Sequence, residues 1–261
     1  MGFRGKAKMS NNVVYRSLTV LMIFTIFGIQ IQAQDKKVIL KQANGLYYSF
    51  KDHGFSGLRC IVEPNWKKLL EDNSSADYGP LNLLELVSFS VSVDKNGISK
   101  VEPLLRGGGE LDKRIVPTIG GLQQIISGFY QTWTNLIVTT PFPEGDDAIT
   151  LKEEGGNYRV IANDNSDSQY VMSKDLIISE MSVSIPNPKV TMRPKYSKTD
   201  RGLLLTGLDF DINNNQTKVH FDLQYQEVDG YKLPTRVAYQ MAFPNGQILL
   251  EMSFSKYQVS K

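Results

Sequence analysis

"EVDGYKLPTRVAYQM", Glu227 to Met241, is the stretch whose reading decides the fold. Asp229-Gly230 is a tight turn, since aspartate tolerates and glycine prefers the positive φ such a loop requires. Tyr231 and Leu233 then lead into Pro234. Proline has no N–H to give to a ladder, so its expected place is a strand start or a sheet edge. Beyond it Val237, Tyr239 and Met241 alternate, the period of a half-buried strand. The stretch is therefore the turn of an antiparallel pair.

The same pattern extends in both directions. Toward the C-terminus, Pro244-Asn245-Gly246 turns the chain into "GQILLEMSFSKYQV". Toward the N-terminus come "KVHFDLQYQEV", "GLLLTGLDFDI", "KVTMRPKYS" and "QYVMSKDLIISEMSVSI", with "NNNQ" as a turn. "AITLKEEGGNYRVIA" is a hairpin turning at Gly155-Gly156. From Asp147 onward the chain is almost only strands, which implies one large antiparallel sheet.

Helical signals lie before it. In "KRIVPTIGGLQQIISGFYQTWTNLIV", Ile115, Ile119, Leu122, Ile126, Phe129, Trp133 and Leu136 step by four and three. That spacing is one face of a long helix, with Pro117 in its first turn. Gly121 and Gly128 lie beside the stripe and would let a backbone or a ligand come close. In "KKVILKQANGLYYSFKDHG", Ile39, Ala43, Leu46 and Phe50 predict a first helix stopped at Gly54. Gly45 falls within that pattern at a cost of about 1 kcal/mol relative to alanine.

Between the two helices, Phe55–Val62 reads as a strand and "EPNWKKLLED" as a short helix with Pro64 at its start. "NSSADYGP" and "RGGGELD" read as loops. "ELVSFSVSV" and "ISKVEPL" form a hairpin with Asn96-Gly97 at its tip. The order is helix, strands, long helix, many strands. It predicts an α+β fold with helices on one face of a curved antiparallel sheet, about 11 strands in all.

The N-terminus carries an address. Arg4, Lys6, Lys8 and Arg16 precede the uncharged run Leu18–Ile29, and no charge intervenes between Arg16 and Asp35. A basic lead, a short apolar run and a small residue in a polar stretch make a secretory signal peptide. The run is shorter than the roughly 20 residues of a membrane-spanning helix. The expectation is a leader over residues 1–33, cleaved after Ala33, and a single domain over residues 34–261 in the periplasm or outside the cell. The 261-residue chain has 29 Lys and Arg against 27 Asp and Glu. Taking four leader cations from 29 leaves 25 against 27, a balance of −2. Such a mature chain offers no basic excess for nucleic acid or anionic membranes.

Motifs for chemistry are sparse. The one cysteine, Cys60, alternates with Leu58 and Val62 and reads as a buried thiol. The two histidines, His53 at a helix end and His220 on the polar face of a strand, have no zinc-ligand spacing around them. "DFDINNN" begins like a calcium loop at Asp209, Asp211 and Asn213. Asn214 then stands where glycine is needed and His220 where the acid is needed. "RGGGE" has no lysine of a phosphate loop, and no G-x-S-x-G elbow is present. Glu153-Glu154 and Asp146-Asp147 read as solvated turn charges. The expectation is a non-catalytic protein with no metal and no cofactor.

The hairpin "G-x-x-L-P" at Gly230–Pro234 is followed by a last strand ending in Tyr257–Val259, and "VMSKDLIISEMSV" forms a central hairpin. Together these resemble the LolA/LolB-like periplasmic lipoprotein carriers over Asp147–Ser260. The resemblance implies an unclosed antiparallel barrel whose helices cover its concave side. It also implies a lipid or an acylated protein as partner, held in an apolar space between helices and sheet. Tyr47, Phe50, Ile126, Phe129 and Trp133 are the expected wall of that space. The alternative is an envelope sensor or scaffold that uses the same fold to bind protein.

Overall fold

The computed structural model describes residues 36–72, 78–139, 141–142, 149–162, 168–184, 189–212 and 216–261. The expected leader, Asp146-Asp147, most of "NSSADYGP" and Asn213–Asn215 lie outside the described residues. The chain divides into two compact units, Met1–Gln42 and Ala43–Lys261. No helix among the described residues is long and apolar enough to cross a membrane.

The second unit is built on one twelve-stranded antiparallel sheet. Its strands are β1 (Gly57–Pro64), β2 (Val87–Asp94), β3 (Ser99–Leu105), β4 (Ile149–Glu154), β5 (Asn157–Ala162) and β6 (Gln169–Met172). They continue with β7 (Ile178–Ser184), β8 (Lys189–Thr199), β9 (Gly202–Ile212), β10 (Thr217–Val228), β11 (Tyr231–Phe243) and β12 (Gly246–Ser260). The order across the sheet is β3-β2-β1-β12-β11-β10-β9-β8-β7-β6-β5-β4. Because β3 and β4 are its two ends, the sheet is not closed into a barrel. Register shifts interrupt the ladders at Arg59/Ile61, Val171/Met172, Lys195/Tyr196 and Gln224/Tyr225. Each such irregularity bends its strand and adds right-handed twist, which is how so wide a sheet curves.

Among the described residues there are four α-helical segments: α1 over 36–44, α2 (Trp66–Asp72), α3 (Leu81–Leu84) and α4 (Val116–Ile137). The long helix matches the periodicity. All seven stripe residues from Ile115 to Leu136 are buried, and Pro117 lies in the first turn. Its apolar face packs on the concave side of the sheet. The Phe129 ring lies 5.6 Å from that of Phe221 on β10 and 5.8 Å from that of Phe254 on β12. On β3, the Val101 carbonyl accepts a 2.8 Å hydrogen bond from the Gln123 side chain, which blunts that edge strand.

The first helix is shorter than its apolar spacing predicts. It stops at residue 44, and Gly45-Leu46 is a turn. Tyr47 then forms an isolated parallel bridge to Leu203. Only Lys51–His53 coils again, as a single 3₁₀ turn capped by Gly54 at φ +72°. The reason is hydrogen bonding elsewhere: Tyr48 N–H donates to the Leu203 carbonyl at 3.0 Å, and Phe50 N–H to the Ile137 carbonyl at 2.8 Å. Tertiary partners thus take the donors a continuous helix would have used.

Of two prolines, one differs from expectation and the other meets it inside a strand. Pro64 closes β1 instead of opening α2, and the side chain of Asn65 accepts from Lys68 N–H at 3.1 Å to cap that helix. Pro234 lies inside β11, opposite Tyr225 and beside the Gln224/Tyr225 shift. The pairing of β11 with β12 runs only from Arg236 to Phe243, while β12 continues along β1. Pro234 therefore occupies a local edge where no neighbour asks for its missing N–H. The Asp229-Gly230 turn is as read, with φ +52° and +88°.

Candidate functional site

The concave face is covered unevenly. Toward β1 and β12 it is closed by α4, whose Tyr130 hydroxyl lies 3.0 Å from the Cys60 thiol and whose Phe129 and Tyr130 rings meet Phe254. Over β8–β11 the helix leaves a groove of about 400 Å³. One bank is α4, through Gly121, Gln124, Ile125, Gly128, Phe129, Gln131 and Thr132. The floor is Val190 on β8, Phe210 and Ile212 on β9, Val219 and Phe221 on β10, and Tyr239 and Met241 on β11.

The register explains why these side chains meet. Opposed residues of an antiparallel pair point to the same face. Phe210 is paired with Val219, Val219 with Met241, and Phe221 with Tyr239. Val190 is paired with Ile212. Four neighbouring strands at their usual spacing make a floor roughly 14 Å wide. Phe210, Ile212, Val190 and Met241 are only half-buried, so apolar surface stands open in the groove. The helix bank is thin where its glycines fall. A β-carbon added at Gly121 or Gly128 would meet nothing within 4 Å.

The electrostatics of the groove are flat. Among the described residues no acidic, basic or histidine side chain lines it. Its one phenol, Tyr239, is pushed up to about 12 by burial and stays neutral. Titratable groups cluster on the opposite, polar face instead. There His220 lies between Asp209 and Asp222, Lys195 pairs with Asp209, and Arg193 pairs with Asp211 and Glu180. Among the described residues no three of His, Cys, Asp and Glu come together as a metal site would need.

Of the five residues expected to wall an apolar space, Phe129 borders the groove. The other four are buried and are not part of its lining. Trp133 contacts Phe50 at 5.6 Å between ring centroids, and its indole N–H donates to the Tyr225 hydroxyl at 3.2 Å. Ile126 is fully buried. The Tyr47 hydroxyl accepts from Ile178 N–H at 2.7 Å and donates to the Leu176 carbonyl at 3.2 Å. Tyr47, Phe50 and Trp133 thus belong to a packed aromatic core, with the polar tips of Tyr47 and Trp133 satisfied. Cys60 is buried with its thiol 3.0 Å from the Tyr130 hydroxyl, and burial pushes it up to about 11. The floor residues were present in the sequence as ordinary alternation. Nothing local distinguished them from core, because the gap over them depends on where α4 lies across the sheet.

No family model matches the chain, and neither a curated protein nor a solved structure matches it.

Proposed function

We propose that the protein is an exported, non-catalytic binding protein that holds the acyl chain of a lipid or an acylated protein in the groove between α4 and the sheet. The observation that carries this reading is the groove itself: a half-exposed apolar floor facing a helix bank opened by Gly121 and Gly128. Open apolar surface of this kind on a single chain marks a binding site. An acyl chain of about 14 methylenes, at about 0.8 kcal/mol each, supplies roughly 11 kcal/mol of gross driving force. Association costs of several kcal/mol still leave a usable affinity. The neutral lining supports binding over catalysis, since it offers no acid, base or nucleophile at working pH. The likeness of the C-terminal hairpins to lipoprotein carriers, and the leader expected over residues 1–33, point the same way.

Gly128→Leu tests the reading. Its side chain would project into free space, so melting should stay within a degree or two, about 0.5 kcal/mol of change. Binding of a fluorescent hexadecanoyl probe should weaken at least about tenfold, because the leucine occupies the volume the chain needs. A parent protein that binds no acyl probe at micromolar concentration, yet captures an amphipathic helical peptide, would move the groove to the protein-binding alternative.

A further inference from the structure

On the acyl-binding reading, on which this proposal rests, the dimensions of the groove decide how a chain lies in it. The bank residues Gly121, Gln124, Ile125, Gly128 and Thr132 recur at helical spacing and form one stripe along α4. From Gly121 to Thr132 that stripe rises about 16 Å, at about 1.5 Å per residue. Packed residues stand at both of its ends. One turn before Gly121, the Thr118 hydroxyl donates to the Tyr78 carbonyl at 2.7 Å. One turn beyond Thr132, Leu136 is buried. Ile125, in the middle of the stripe, is half-buried, as are Val190, Phe210, Ile212 and Met241 of the floor.

Length, volume and area each narrow the occupant. An extended acyl chain advances about 1.25 Å per carbon, so about 16 Å takes about 13 carbons. A cavity of about 150 Å³ holds one benzene, about 25 Å³ per carbon, so the groove's volume of about 400 Å³ takes about 16 carbons. The two measures agree on one chain and leave no room for a second of that length. A protein partner would find about 16 by 14 Å of open surface, roughly 230 Å², against the roughly 800 Å² that each side of a standard interface buries. We infer that the groove takes a single acyl chain of about 14 carbons, extended along α4 from the Gly121 turn to the Thr132 turn with Phe210, Val219 and Met241 beneath it. The ligand class is therefore monoacyl. The groove is open along its length, so the head and any further carbons stay in water and add little to affinity.

The experiment titrates the purified protein with single chains from octanoyl to octadecanoyl on one fixed fluorescent head, and with a dioctanoyl form of that head. Affinity should rise about twofold to fourfold per methylene up to tetradecanoyl. Octadecanoyl should then bind within about threefold of tetradecanoyl, since its last carbons gain no cover. Dioctanoyl has as many acyl carbons as hexadecanoyl, yet it should bind like a single octanoyl chain. Gly121→Leu fills one end of the stripe, three residues or about 4.5 Å before Gln124, and should move the break in the series to about ten carbons. Octanoyl affinity and the melting temperature should stay as in the parent, because a β-carbon at Gly121 meets nothing within 4 Å. Affinity that climbs undiminished to octadecanoyl, dioctanoyl bound as tightly as hexadecanoyl, or a break that Gly121→Leu leaves in place would overturn this inference and leave the acyl-binding reading standing. Failure of every chain to bind would overturn both.

Discussion

The carbonyl oxygen of Leu46 lies 2.7 Å from the point where a β-carbon on Gly202 would stand. The approach is enforced from both sides. Leu203 N–H donates to that same carbonyl at 2.8 Å, and Tyr48 N–H returns a bond to Leu203. Gly202 also holds φ +114°, outside the range L side chains adopt readily. The start of β9 and the segment after α1 are thus clipped together at a position where only glycine fits.

Gly202→Ala is expected to destabilise the protein by roughly 2–4 kcal/mol, combining the backbone clash with an unfavourable φ. Gly121→Ala should do the opposite. It is a helical glycine with free space around it, and alanine there should add about 0.5–1 kcal/mol. Urea denaturation of the two variants beside the parent checks both signs. Equal destabilisation by the two would mean that the bank of α4 is packed, and that no groove stands beside it.

The contrast between these glycines shows what the sequence could and could not say. The strand pattern, the turn at Asp229-Gly230 and the α4 stripe were legible because each is set by neighbours within a few residues. The first helix was over-read at Leu46 and Phe50. Their spacing is helical, but Tyr48 and Phe50 give their N–H groups to β9 and to the end of α4. Pro234 was legible as an edge residue and illegible in place, because the edge arises where β12 leaves β11 for β1. The glycines beside the α4 stripe were seen, while the floor opposite them was not. That floor exists only through the register of β8–β11, a long-range property no local period records.

On the polar face, both ring nitrogens of His220 engage carboxylates, Nδ1 with Asp209 and Nε2 with Asp222 at 2.9 Å. Both can donate only as imidazolium. Burial alone would lower the His220 pKa. The hydrogen bonds to Asp209 and Asp222 outweigh that and hold it above its ordinary value, with Lys195 opposing weakly. Its contribution to stability is therefore full below the unfolded histidine pKa of about 6.5 and is lost as pH rises through the folded value. Asp209 runs the other way. Partial burial raises it, bonds from His220 and Lys195 bring it below its ordinary value, and its contribution is lost only in acid. The pair is partly solvent-exposed, so the expected loss on the alkaline side is about 0.5–1 kcal/mol after screening. His220→Gln should flatten that part of the stability–pH curve, measured by urea midpoints between about pH 5 and 8. A parent curve that rises with pH across this window would contradict the assigned charge state.

The last prediction separates floor from core by two aromatic truncations. Trp133 is 1% exposed, stacks on Phe129, meets Phe50 and Tyr130 edge-on, and donates to Tyr225. Trp133→Ala leaves a cavity and strands a buried hydroxyl, so it should cost about 3–5 kcal/mol. Phe210 is half-buried and meets Phe221 at 5.8 Å between centroids, with its remaining surface open in the groove. Phe210→Ala forfeits only the part of the transfer energy already gained, roughly 1 kcal/mol. Its effect should appear in binding instead, because a bound acyl chain would cover the exposed half of that ring. Thermal melts and probe titrations on both variants decide the matter. If Phe210→Ala melts as low as Trp133→Ala, the floor is core and the ligand must be sought elsewhere. If it melts near the parent and binds the hexadecanoyl probe several-fold more weakly, the groove beside α4 is where the chain lies.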